Sequence, residues 1–539
     1  MIRKTRLILT TFTFFILTFN ALTHAANIPS GAKLAKQQTL YRGNGSEPTS
    51  LDPHHVQSNV GGSITGDLFE GLVSQNEAGD IIPAVATHWE VADSNKTFTF
   101  YLRKNAKWSN GDPVTAHDFA YSFQRAVNPA TASEYAWYLE MADIINAKEI
   151  LAGKRKPNTL AVTALDNYTL QIKLANPKPY FIKMLSHYTM FPVHKKTIEK
   201  FQDKWSQPGN MVSNGAYQLT KWVVNERVEA ERNPHYWDNQ NTIINKVVFL
   251  PIESSNAELN RYKAGELDLT STIPPDFYQR LKKDIPSELK VKPHLATYYY
   301  VFNTKRKPFN NVKVRKALSM TIDRDIIVNK VLGEGQQEAF GFTPPAINGF
   351  VKPDNPYEKL SQQERLKMAK KLYQEAGFSK EKPLTFDLLY NTSEGHKKIA
   401  LAIASMWKKH LGVKVTINNQ EWKSFLSTTR QGSFDVARAA WIADYNEASS
   451  MLDVLTTNHG NNDGKYSNPK YDQLMLNAKK AKDPSTIYQQ AEAVLAKDMP
   501  IAPIYHYVRV RLVKPHVGGY MNKNPTDQLY SKNLYILNH

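Results

Sequence analysis

LTFDLLYNTSEGHKKIALAIASMWKKHLGVKVTI, residues 384–417, sets the class of fold. The apolar runs at 384–390 and 413–417 predict two strands, and the segment between them predicts a helix over about 394–410. That helix places Ile399, Ile403 and Met406 at helical spacing for burial, and Gly412 turns the chain back. Two strands joined by one helix in a right-handed crossover lie parallel in a single sheet. The loops at the ends of such a sheet can aim side chains into a cleft.

Just downstream, FDVARAAWIADYNE spans 434–447. Phe434, Val436 and Arg438 alternate with Asp435, Ala437 and Ala439, as in a strand, and Arg438, Trp441 and Asp444 follow one another within seven residues. A cation, an aromatic face and an anion at the end of a strand suit the capture of a zwitterion better than they suit catalysis, which needs a nucleophile or proton donor beside a base. The competing reading pairs Arg438 and Asp444 with structural neighbours and puts Trp441 in a core.

The same strand and helix signals recur along the chain. Strands are expected at 38–43, 97–102, 160–165, 168–174, 215–224, 227–232, 246–252, 266–270, 298–303 and 501–510. Thr115 with Asp118 forms a capping-box start for a helix that Asn128-Pro129 stops at about Val127. Further helices are expected at 254–264, 312–320, 325–332, 469–481 and 484–497, with Gly265 and Gly333 as terminators and Asp323 near the start of one. Mixed strands and helices in this order argue for an α/β protein, with a boundary near 293–297.

At 539 residues the chain is too long for one ordinary core. Residues 1–25 read as a cleavable secretory signal: Arg3, Lys4 and Arg6 precede an apolar stretch that ends in the small-residue pattern around Thr23 and Ala25. There is no cysteine, hence neither a disulfide nor an attachment point for a lipid near the cleavage site. The net charge is +18 and falls by three, to +15, once the signal is removed. Because the Lys and Arg are dispersed and the chain is exported, a solvated basic surface is expected and nucleic acid is not. His54 and His55 are adjacent on a loop without further ligands at metal spacing, so neither a metal nor a cofactor is expected. There is no HExxH, no GxSxG and no cysteine nucleophile, which leaves a secreted peptidase as a minor alternative.

Five ordered stretches, at 102–125, 214–239, 388–400, 418–426 and 434–447, resemble segments of the periplasmic oligopeptide-binding proteins, the solute-binding subunits of ABC-type peptide importers. The resemblance covers nearly the whole mature chain. It implies a two-lobed periplasmic binding protein fold with an additional domain and a hinge between lobes. The divisions it implies are a first lobe from 26–70, 194–295 and 509–539, an additional domain at 71–193 and a second lobe at 296–508. It also implies a monomer that takes a peptide as ligand and an ABC permease as membrane partner.

By the same resemblance Asp444 meets the ligand ammonium, Arg438 and His396 meet its carboxylate, and Trp422, Trp441, Tyr135 and Tyr507 line side-chain pockets. Gln57 stands where the family often has an acid, Ile442 where it often has cysteine and Ala440 where glycine is frequent; Arg430 is one place from a frequent arginine. RAAWIADYNE, TYYYVFNT, ALSMTIDR and IAPIYHY are more similar to the murein-peptide-binding branch, whose ligands carry extra carboxylates. General oligopeptide uptake is the first expectation and murein-peptide binding the alternative.

Overall fold

A computed structural model describes residue 26, residues 28–520 and residues 523–539 of the chain. The expected signal at 1–25 lies outside these residues.

The segment that opened the sequence reading forms strand Thr385–Asn391, helix Glu394–Leu411 and strand Lys414–Gln420. Its strands pair in parallel from Thr385 opposite Lys414 to Asn391 opposite Gln420. Ser393 caps the helix, and Gly412 ends it at a φ of 76°, a left-handed conformation that costs glycine nothing. Along the helix Ile399, Ile403, Trp407 and Leu411 form the buried stripe. Met406, expected inside, is only partly buried. The fully buried position is that of Trp407, whose indole N–H donates to the Leu318 carbonyl at 2.8 Å.

These strands belong to a six-stranded sheet in the order Gln337–Glu338, Ile501–Leu512, Leu289–Phe302, Val436–Ile442, Thr385–Asn391 and Lys414–Gln420. Apolar clusters cover its faces, one around Tyr300, Phe386 and Trp407 and another around Phe425, Leu452 and Tyr471. A second, four-stranded sheet runs Thr39–Gly43, Lys246–Leu250, Arg227–Arg232, Tyr217–Val223. A third runs Ala86–Ala92, Thr97–Leu102, Thr169–Lys173, Val162–Asp166. One continuous cluster, with Leu40, Phe98 and Phe249 among its members, joins these two four-stranded sheets.

Two strands of the six-stranded sheet are exceptionally long. Leu289–Phe302 has 14 residues, Ile501–Leu512 has 12, and they pair antiparallel. The stretch 293–297 lies inside the first of them, at a shift of register between Pro293 and Thr297, where an irregular ladder bends most easily. The strand expected at 266–270 does not form. Leu269 makes single bridges to Arg42 and Val513, with backbone hydrogen bonds of the segment to Tyr41 and Gly43 on one side and to Leu512 and Lys514 on the other, and the Asp268 carboxylate also accepts from the Tyr41 N–H at 2.7 Å.

The helix Ala116–Val127 begins as its sequence predicts. The Asp118 carboxylate accepts from the Thr115 backbone N–H at 2.7 Å and from its hydroxyl at 2.9 Å. Replacing Asp118 by alanine should lower the unfolding free energy by about 1 kcal/mol, read as a shifted denaturant midpoint with unchanged slope.

Candidate functional site

Strand Val436–Ile442 is paired along its whole length on one side, by Leu289–Phe302. On the other side Thr385–Asn391 meets it only at Val436 and Ala437. Beyond these two pairs that edge has no ladder partner among the described residues, and positions 438–442 line a cavity of about 360 Å³. Its opposite wall comes from the first four-stranded sheet and neighbouring segments, through residues such as Asn44, Tyr135, His187 and Thr270.

Asp444 stands just past the end of this strand. Its N–H donates to Ser450 Oγ at 2.7 Å, which fixes the turn. Its Oδ1 lies 3.5 Å from His187 Nε2, whereas Oδ2 is buried without a hydrogen-bond partner. Burial raises the Asp444 carboxyl to about 8 and lowers the His187 imidazole to about 3. A neutral imidazole leaves the carboxylate without a counter-charge. Tyr135 stacks on His187 with centroids 5.1 Å apart, and Tyr138 and Tyr188 close the same group at 4.7 and 3.9 Å. Aromatic faces around an uncompensated carboxylate form a setting for an ammonium.

Arg438 is buried at the other end of the free edge. It donates from Nη2 to the Tyr507 hydroxyl at 2.8 Å and from Nη1 to Asn391 Oδ1 at 3.2 Å, and its guanidinium lies 4.9 Å from the Tyr298 ring centroid. Its Nε is buried without a partner. Its protein partners are therefore neutral oxygens and an aromatic ring, which position it without cancelling its charge.

Trp441 and Trp422 both line the cavity. The Trp441 indole N–H donates to the Ser450 carbonyl at 2.6 Å. Trp422 opens the helix Trp422–Arg430 and stacks on Phe425, 6.0 Å away, with its N–H buried and unpartnered. Tyr135 and Tyr507 line the same space. His396 does not. It sits half-buried in the first turn of Glu394–Leu411, with its ring 5.5 Å from that of Tyr298, and burial followed by the charge of Arg438 pushes it well below 6.5. The structure thus gathers six of the seven residues singled out from sequence and leaves His396 behind Tyr298.

Arg430 also lines the cavity, reaching Asn461 Oδ1 at 3.5 Å. At the mouth, Gln57 donates to Glu134 Oε1 at 2.7 Å, and His55 Nδ1 lies 3.0 Å from Glu134 Oε2. The loop that lacks an acid at position 57 is thus served by an acid from position 134. His54 faces inward instead, with Nδ1 2.6 Å from Arg125 Nη1. His187 and Glu134 carried no signal in the sequence, since each stands alone in an unremarkable run.

A cavity between two sheet systems, with an open strand edge and unbalanced charges at its ends, defines a protein that wraps around a small extended molecule. The matched family is the bacterial extracellular solute-binding proteins, family 5, whose model covers residues 80–463, and the chain belongs to it. The chain is 52% identical to the periplasmic oligopeptide-binding protein OppA of Salmonella typhimurium over 96% of its own length and 95% of the relative's. Among solved structures, the murein tripeptide binding protein MppA of Escherichia coli superposes with a TM-score of 0.92 at 47% identity, covering 94% of this chain and all of that one. OppA of Haemophilus influenzae in complex with RPPGFSPFR gives 0.91 at 44% identity, with 94% and 100% coverage. The unliganded open form of MppA gives only 0.68, again at 47% identity, with 95% and 99% coverage. At equal identity the lower score shows that the arrangement here departs from that open form.

Proposed function

We propose that this chain captures oligopeptides in the periplasm between its two lobes and presents the closed complex to an ABC permease. The observation that carries the reading is Asp444: a buried carboxylate with a free oxygen, at the end of an unpaired strand edge that has a buried guanidinium, Arg438, further along. A peptide offers what this arrangement lacks. Its ammonium takes Asp444, its carboxylate takes Arg438, and its backbone extends the sheet along 438–442 by β-augmentation. Trp422, Trp441, Tyr135 and Tyr507 receive side chains on aromatic faces that demand no particular hydrogen bond. His396 acts through Tyr298 and Arg438 and does not itself touch the ligand.

The lobes are those of the sequence reading, and the hinge is the register shift between Pro293 and Thr297 where the long strands cross. Binding without turnover is the activity of such a site, since it arranges charges at the ends of the ligand and leaves the peptide bonds untouched. The protein works as a monomer.

Murein peptide is the second reading, favoured by the cationic floor described below. Native mass spectrometry of protein purified without denaturation tests both. A spread of co-purified peptide masses is expected for general uptake, whereas one mass that contains a diamino acid identifies murein peptide. Recovery of empty protein that ignores added peptides, or of peptides cut during incubation, would defeat the proposal.

A further inference from the structure

The floor of the cavity holds more buried positive charge than the protein balances. Asp527 is shared by three cations: Lys292 Nζ at 2.9 Å, Arg509 Nε at 2.8 Å and Arg511 Nη2. The Lys292 and Arg511 side chains are almost wholly buried and that of Arg509 is 24% exposed. Arg42 joins them from strand Thr39–Gly43, with its own acid, Asp67, 3.7 Å away. The Nε atoms of Arg42 and Arg511 are buried without hydrogen-bond partners.

The other acid close by is Glu258. It is buried and accepts from the Ser271 N–H at 2.7 Å and the Ser271 hydroxyl at 2.9 Å, and burial raises it to about 7, so near neutrality it supplies only part of a charge. His294, also on the floor, donates from Nδ1 to the Pro525 carbonyl at 3.1 Å, and burial lowers it to about 4. Asp527 itself is held well below the usual carboxylate range: its cations outweigh the cost of its own burial. Burying cations in excess of anions is costly unless another charge arrives. Arg42, Arg509 and Arg511 all line the cavity, so such a charge can reach them from the ligand.

We propose that this floor is a second anion subsite, centred on Arg509 with Arg42 and Arg511, and that it selects peptides bearing a carboxylate beyond the one at their C-terminus. The inference rests on the peptide reading above and narrows it to acidic peptides. Lys292, Arg509 and Arg511 lie on the two long strands that cross between the lobes, and Arg42 lies on the facing sheet. A ligand carboxylate placed among them neutralises groups from both sides of the cleft at once, so the second charge favours closure as well as contact.

Calorimetry on the whole mature chain decides the matter with three tripeptides. These are Ala-Gln-Ala, Ala-Glu-Ala, and an alanine tripeptide whose central glutamate is linked through its side-chain carboxyl, leaving its α-carboxylate free. At least one acidic peptide should bind about tenfold or more tightly than Ala-Gln-Ala, as a charge-assisted contact in a dry site requires. Arg509→Gln should abolish that advantage and bind Ala-Gln-Ala at least as tightly as the unaltered chain does, because one uncompensated buried cation is gone, while Arg509→Lys should retain part of the advantage. Ala-Gln-Ala affinity and thermal unfolding of each variant report whether the cleft is intact. Equal binding of all three peptides, or an advantage that survives Arg509→Gln, overturns the subsite and leaves peptide capture standing. Failure of the unaltered chain to bind any of them removes the peptide reading and the subsite together.

Discussion

Asp444→Asn should weaken binding of free-amine peptides by roughly 2–5 kcal/mol, about 30-fold to several thousand-fold in Kd, and should scarcely change the binding of their N-acetylated forms. The size follows from dryness. Asp444 Oδ2 has no protein hydrogen-bond partner and no water-exposed face, so a ligand ammonium there meets a carboxylate unscreened by solvent. Asparagine keeps the shape and can still accept a hydrogen bond, but it leaves the ammonium buried without a counter-charge. An acetylated peptide brings no charge to lose. Paired titrations of one sequence with free and blocked amine give the difference directly; equal weakening of both would remove Asp444 from its assigned role.

The same carboxylate should also control whether the protein closes when empty. A cleft opened to water would return Asp444 toward its ordinary value of 3.8, whereas in the arrangement described here burial raises it to about 8. A carboxyl whose pKa rises on closure binds its proton more tightly in the closed form. Closure is therefore favoured as pH falls, with the penalty complete above about 8, absent below about 4, and on the order of 4 kcal/mol at pH 7. Small-angle scattering of the ligand-free protein should show the radius of gyration shrinking between pH 8 and pH 5. Glu258 and Asp463 line or adjoin the cavity and, raised by burial to about 7 and about 6, act in the same direction, whereas His187, lowered by burial to about 3, acts in the opposite direction below about 6.5. Asp444→Asn retains theirs and removes only its own, so a variant with an unchanged pH profile would count against this device. Ligand ammonium replaces the proton as the neutralising charge, which ties closure to occupancy at neutral pH.

Much of this was legible because the decisive groups are close in sequence. Arg438, Trp441 and Asp444 sit on one strand and the turn after it, so alternation brought them to the end of one strand and the family resemblance gave them their roles. Their partners could not be found that way. His187 reaches Asp444 from the opposite wall of the cavity, and Asn391 and Tyr507 reach Arg438 from other strands of the sheet, contacts that only the folded sheets create. The role of His396 comes from its position in the family, and the structure adds where its ring lies. Its place in the first helical turn is as expected, but the ring is directed at Tyr298, and no sequence pattern specifies that direction. Met406 and Trp407 differ by one step around a helix, within the ambiguity of a periodicity judged from apolar residues alone. At 266–270 the apolar alternation was genuine and the backbone bonds to Tyr41, Gly43, Leu512 and Lys514, but the pairing is too short for a strand and amounts to single bridges at Leu269.

The unpaired edge at 438–442 has a further consequence, for how the protein survives at high concentration. A bare row of backbone donors and acceptors is the kind of surface on which chains stack into fibrils, and most proteins blunt it with charge, proline or a bulge. Here the row stays chemically inviting because its work requires it, and safety comes from recess: the facing lobe admits a thin, short guest but leaves no room for a folded neighbour to insert a strand of its own.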